Sequence, residues 1–340
     1  RRVLFRSGQS LVYSNDLGAT WVRYKHNPVI PKPEEDAKAM TRRDPKVFWY
    51  APTKMWVMVV FREKIGMEFF TSKDLKEWEF QNIFNAEFFW ECPDMFQMKV
   101  EGSSEKKWVL MAAIGAYCVG NFNGKEFIKE TEVQKMYLGP DIYAGQSFYN
   151  APNNNILQMA WLGMWNREIP ELNNNTWNHA ATFPVKLTLH IDDKNKYQIR
   201  RNPIDAIEKL VTKTVHFKKL NIKSNKNKLK KLNFKTYDLE FTLDLKATKA
   251  EDFELQLSNK SIAIHLKDHT FDGIKFNPIK GKLKVRILKD VACYEVFIND
   301  GAISKAEEFP FNIENNSINF KTEIPIKIED FSIKELKSIW

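Results

Sequence analysis

Residues 55–61, Met-Trp-Val-Met-Val-Val-Phe, form an unbroken apolar run, short for a helix and rich in β-branched and aromatic side chains. Such a run fits a strand covered on both faces. Trp108 to Ile114 (WVLMAAI) and Ile156 to Leu162 (ILQMAWL) share its character, and the three stretches begin 53 and 48 residues apart. That spacing is near the roughly 40 to 50 residues of a four-stranded propeller blade, so radial repetition is expected. Between Gly8 and His190 the apolar runs are short, turn chemistry separates them, and long helical patterns are missing. A finer repeat agrees. Ser14-Asn15-Asp16-Leu17 and Ser72-Lys73-Asp74-Leu75 share S-x-D-L, each followed within a few residues by a tryptophan, Trp21 or Trp78. The Asp of such a turn accepts hydrogen bonds from nearby backbone, and the Trp is expected to return onto an apolar face. Asn123-Gly124 marks a third turn, a tight hairpin. Nine of the ten tryptophans lie between Trp21 and Trp177, more than a core of this size ordinarily uses, so a few are candidate platforms for sugar rings.

The texture changes after His190. Asn202-Pro203 followed by Ile204 to Leu210 reads as one short helix with Asn202 as N-cap, in a linker over residues 196–212. Clean period-two patterns follow at Tyr237, Leu239, Phe241, Leu243 and Leu245, then at Phe253 to Leu257, Ile262 to Leu266 and Leu283 to Ile287. Alternation means one buried and one wet face, so residues 213–340 are expected to form a β-sandwich, with residues 8–195 as a partial propeller. Residues 1–7 can be encoded by the end of a common sequencing adapter and are set aside as an artefact, which would make the chain an N-terminally truncated fragment.

The 340 residues are 43% apolar and 28% charged, which excludes disordered and collagen-like classes. No stretch reaches the roughly 18 apolar residues of a membrane span. Cys92, Cys118 and Cys293 are too few and too scattered for a disulfide framework. The net charge of +9 is uneven: residues 1–190 carry 23 basic against 21 acidic side chains, and residues 191–340 carry 29 against 22. The excess includes Lys223, Lys226, Lys228, Lys230 and Lys231, a run without aromatics, so nucleic-acid binding is not expected. Zinc-protease, serine-hydrolase, phosphate-loop and dinucleotide signatures are absent, and the six histidines lack ligand spacing. Three sequons, at Asn174, Asn259 and Asn315, are what an Asn-rich chain yields by chance. Neither a metal nor an organic cofactor is implied.

Carboxylates in unusual company remain. Arg42-Arg43-Asp44-Pro45 and Phe89-Trp90-Glu91-Cys92-Pro93-Asp94 each stand before an apolar strand, where propeller loops converge on one small ligand. Glu91, flanked by Phe88, Phe89, Trp90 and Cys92, is expected to be poorly solvated, with a pKa raised toward that of a general acid. Arg43 is expected to hold its neighbour Asp44 ionised.

These residues resemble glycoside hydrolase family 32, the β-fructofuranosidases that include invertases, levanases and inulinases. Arg43-Asp44-Pro45 is similar to the family's R-D-P motif, and Trp90-Glu91-Cys92-Pro93-Asp94 to W-E-C-P-D. Asp141 to Phe148 resembles D-x-Y-A-x-Q-[ST]-F, Gln158 to Trp161 the later Q-x-x-W, and Glu295 to Gly301 the sandwich strand E-V-F-x-N-D-G. Five motifs stand in family order. The resemblance implies an all-β chain, a five-bladed β-propeller with its first blade missing and then a C-terminal β-sandwich. It implies retaining hydrolysis of fructose-containing oligo- or polysaccharides, with Glu91 as acid/base and Asp44 as transition-state stabiliser. Arg43 would fix Asp44, Cys92 would tune the surroundings of Glu91, and Asp141, Tyr143 and Trp161 would line the pocket. The family's nucleophile motif W-x-N-D-P-N-G has no match here, since Asn15-Asp16 belongs to the blade turn. The product as written is therefore expected to be catalytically dead and poorly soluble. A non-catalytic glycan-binding propeller and an arabinosidase-type five-bladed hydrolase are the alternatives. A secreted or periplasmic location is the expectation, with no leader to read, and oligomeric state and choice among sucrose, levan and inulin are not legible.

Overall fold

The structure, a computed structural model, describes residues 8–32, 42–87, 89–163, 179–223, 229, 232–312 and 314–339. The adapter-like residues 1–7, Phe88, the sequon at Asn174, Trp177 and the lysines at 226, 228, 230 and 231 lie outside the described residues.

The chain is all-β. A short antiparallel pair, β1 (Val12–Tyr13) and β2 (Val22–Arg23), precedes a four-stranded meander of β3 (Arg42–Tyr50), β4 (Met55–Arg62), β5 (Gly66–Ser72) and β6 (Glu79–Phe84). A second meander runs β7 (Asp94–Lys99), β8 (Lys106–Met111), β9 (Ala116–Phe122), β10 (Phe127–Lys129), with β11 (Gln134–Lys135) also on β9. A third comprises β12 (Ile142–Ser147), β13 (Ile156–Leu162), β14 (Ala180–Ala181), β15 (Val185–Ile191) and β16 (Tyr197–Pro203), in the order β12-β13-β15-β16 with β14 alongside β13. The run that opened the sequence reading is β4, and all seven residues of its neighbour β5 are buried. Val57, Val59, Phe61 and Phe69 of the first meander meet Met95, Trp108, Leu110 and Phe122 of the second in one core. Each fully buried side chain of this size contributes about 1.5–3 kcal/mol, which explains why these strands read as continuous apolar runs.

The later strands are β17 (Val211–Ile222), β18 (Tyr237–Asp244), β19 (Asp252–Leu257), β20 (Lys260–His265), β21 (Thr270–Phe271), β22 (Ile274–Lys275), β23 (Lys282–Lys289), β24 (Cys293–Ile298), β25 (Ile303–Glu308), β26 (Ile318–Lys321) and β27 (Ile326–Leu336). They form a six-stranded sheet, β17-β27-β18-β23-β24-β25, and a five-stranded one, β22-β21-β20-β19-β26. Leu239, Phe241 and Leu243 of one sheet share a core with Leu255, Leu257, Ile262 and Ile264 of the other, as the period-two pattern requires. By contacts the chain divides into two compact units, residues 1–136, 143–158 and 188–198, and residues 137–142, 159–187 and 199–340.

Several expectations need correction. Asn202 and Pro203 lie in β16, and the helix is a single 3-10 stretch, Asp205–Leu210, entered from extended Ile204 without a side-chain cap. Pro203 closes a strand because its preset φ suits a strand end as well as a helix start. The run to Ile114 ends as a strand at Met111, since Gly115 takes a positive φ of 74° and turns the chain. Both S-x-D-L turns form: Asp16 accepts from Thr20 N–H and Asp74 from Lys76 and Glu77 N–H. Only Trp78 packs onto an apolar face, while Trp21 is 63% exposed.

Candidate active site

Two irregularities bring the candidate residues together. The register of β3 against β4 slips between Arg43 and Lys46, a bulge at Asp44-Pro45 that re-aims the side chains. Asp44, Glu91, Cys92 and Ala144 all have left-handed backbones, with φ of 60, 54, 43 and 53°. None is glycine, and each such position costs about 1–3 kcal/mol, so four around one spot make this cluster a candidate site. Two backbone bonds hold them: Ala113 N–H donates to Glu91 O at 3.0 Å, and Ala144 N–H donates to Ala113 O at 2.8 Å.

Glu91 is the focus. Arg43 Nη2 donates to its Oε1 at 2.6 Å and Tyr143 Oη donates to its Oε2 at 2.5 Å. Arg43 stacks over Phe61 at 4.8 Å and reaches Asp44 and Glu63 only at 3.8 and 3.7 Å. Asp44 Oδ2 accepts from Cys92 N–H at 3.1 Å and faces Cys92 Sγ at 3.6 Å. The Glu91 and Asp44 side chains are 31% and 33% exposed, open enough to meet a ligand.

The expected raised pKa of Glu91 is overturned. Burial pushes the carboxyl up, but the hydrogen bonds from Tyr143 and Arg43, together with the Arg43 charge, outweigh it and hold Glu91 below its usual value. The aromatic neighbours do not dry the carboxyl: Phe89 is buried in the core edge-on to Phe84, and Trp90 is 40% exposed. Arg43 thus serves Glu91 more closely than Asp44. Burial, with the Asp44 carboxylate beside it, pushes the Cys92 thiol up to about 12, so the thiol keeps its proton at neutral pH.

Asp141 and Trp161 belong to the other compact unit. Asp141 is 1% exposed and its Oδ2 accepts from Glu308 N–H at 2.9 Å, so this carboxylate supports the backbone. Trp161 is half-buried and stands edge-on to His179 at 5.1 Å. Sequence reasoning gave no role to Gln146, whose Nε2 donates to the carbonyls of Cys92 and Pro93 at 3.1 and 3.2 Å, nor to Glu63. Gln146 stands inside a quoted motif, which was its signal. Glu63 follows β4 near Phe61, the partner of Arg43, and needed the register to be seen.

Comparison with known proteins settles the family. The model of the glycosyl hydrolases family 32 N-terminal domain matches residues 4–203. The chain belongs to glycosyl hydrolase family 32. A levanase of Bacillus subtilis is 28% identical over 98% of this chain and 55% of its own length, and an extracellular exo-inulinase of Meyerozyma guilliermondii is 33% identical over 53% and 37%. The chain thus spans between about a third and a little over half of these relatives. Among solved structures, exo-inulinase from Aspergillus awamori superposes with a TM-score of 0.82 at 22% identity, covering 98% of this chain and 75% of that one. At that identity the likeness concerns the fold, which in these neighbours is a β-propeller followed by a β-sandwich.

Proposed function

We propose that the cluster around Glu91 serves hydrolysis of β-fructofuranosidic bonds, of the sucrose, levan or inulin type, with retention of configuration. The observation that carries this reading is the grip of Arg43 and Tyr143 on Glu91, with Asp44 alongside, in a family 32 chain. Glu91 would donate a proton to the leaving oxygen and later take one from water. Asp44 Oδ1, which has no partner among the described residues, would accept substrate hydroxyls and stabilise the oxocarbenium-like transition state. Tyr143 would steady Glu91 in both protonation states. A carboxylate pair and water suffice for this chemistry, without metal or organic cofactor.

The low pKa of Glu91 has a place in this reading. A general acid must carry its proton when substrate arrives, and a second carboxylate nearby raises the pKa by like-charge repulsion. In this family that carboxylate comes from W-x-N-D-P-N-G, which residues 1–340 do not contain. We read the three full meanders and the β1-β2 pair as part of a five-bladed ring whose first blade is not represented. Residues 1–340 alone should accordingly release no measurable fructose from sucrose, levan or inulin. The same chain joined to a segment carrying the motif should release it, and failure of the joined protein on all three substrates would overturn the assignment.

A further inference from the structure

A few residues along the chain from Arg43, Glu91 and Tyr143 stands a second polar knot that no step of the proposed reaction uses. Asp94 is fully buried. Its Oδ1 lies 2.8 Å from Lys46 Nζ and accepts from Ser147 Oγ at 3.0 Å, while its Oδ2 accepts from Ser147 N–H at 2.5 Å. Lys46 Nζ also donates to Ser147 O at 2.7 Å. The three residues come from the first strands of three different meanders, β3, β7 and β12. Lys46 stands two residues past Asp44, Asp94 three past Glu91, and Ser147 four past Tyr143. Gln146, next to Ser147, holds the Cys92 and Pro93 carbonyls from the same side.

A buried ion pair is a weak source of stability when weighed against apolar packing, but it fixes geometry, because a carboxylate with three short donors tolerates few arrangements. We propose that Asp94 is a positioning residue for Glu91: with Lys46 and Ser147 it clamps the three segments bearing Arg43, Glu91 and Tyr143 within hydrogen-bond reach of one another. The clamp acts through strand spacing and touches no substrate. Its relevance to catalysis rests on the reading of Glu91 given above, whereas the geometric claim is read directly from the Glu91 carboxyl in the chain as it stands.

The test follows the Glu91 carboxyl by carbon-13 NMR in residues 1–340 labelled at glutamate, assigned by its loss in Glu91→Gln. Asp94→Asn should move the titration midpoint upward by about half a pH unit or more, because the Tyr143 and Arg43 bonds that hold it down loosen. Asp238→Asn is the matched control. It breaks a pair with an equally buried carboxylate, held by Arg286 in the other unit, and should leave the midpoint where it was. Should Asp94→Asn not fold, Ser147→Ala, which removes one hydroxyl donor, decides instead with a smaller upward shift. An unchanged midpoint in the folded variant, or an equal shift in the Asp238→Asn control, overturns the proposal. Inactivity of the joined protein would leave this result untouched, so the two failures are distinguishable.

Discussion

Two carboxylate–guanidinium pairs in this chain have similar contact distances and differ in the burial, backbone and partners of the carboxylate. Asp238 is 1% exposed on regular β18, and Arg286 grips it in bidentate fashion at 2.9 and 2.7 Å. Glu91 is about a third exposed on a left-handed backbone, and Arg43 takes only one of its oxygens, the other going to Tyr143. In the sandwich pair both carboxylate oxygens are used and the carboxylate is buried. The pair in the first unit is strained, open and shared with a proton-bearing side chain. Charge pairing alone therefore does not distinguish the two, whereas open side chains on irregular backbone single out the Glu91 pair as the candidate.

Substitutions break the comparison in opposite directions. The largest effect is expected for Glu91→Gln in the joined protein, where fructose release from sucrose should fall about 10²–10⁴-fold, the range for a lost acid/base, with substrate binding retained. In residues 1–340 the same change should leave stability within about 0.5 kcal/mol, since the pair is partly solvated. Asp238→Asn should do the reverse, costing about 3 kcal/mol in denaturant melts by leaving Arg286 without its buried partner, and leaving any activity intact.

Acid–base behaviour sharpens the contrast further. Burial raises the Glu295 carboxyl to about 7 against the opposing Arg201 charge. A carboxyl raised on folding favours the native state most below its unfolded value, and that contribution is lost as pH climbs through about 7. Melting of the second unit should thus weaken between pH 5 and 8, and Glu295→Gln should flatten this pH dependence while lowering Tm by several degrees throughout, because buried Arg201 loses its counter-charge. Glu91 has the opposite sign: its stabilisation is present above the ordinary carboxylate value and fades as pH falls through its lowered one. Tyr143→Phe should raise the Glu91 titration midpoint at least as far as Ser147→Ala does, since it deletes the strongest hydrogen bond holding that carboxyl down, with little effect on stability.

The sheets were legible because their cause is local. Met55–Arg62 reads as a buried strand since both its faces are covered, and Phe253, Leu255 and Leu257 alternate since one face of β19 is wet. The turns at Asp16, Asp74 and Gly124 were legible because each is set by its own side chain or its freedom at positive φ. What failed depended on direction in space. Neighbours in sequence suggested a dry Glu91 and an Asp44 served by Arg43. Yet Phe89 turns into the core, and the bulge sends Arg43 across to Glu91 from 48 residues away. The Asp94 knot joins residues 101 positions apart, and no periodicity or motif spacing carries that information.

The central claim, that Glu91 hands a proton to the departing group, is tested most directly by comparing leaving groups. In the joined protein, kcat/KM of Glu91→Gln and of the unsubstituted form would be measured on sucrose and on an aryl fructoside with an acidic phenol. The loss should be large on sucrose and slight on the aryl fructoside, which departs without protonation. Equal losses on both substrates would contradict the assignment.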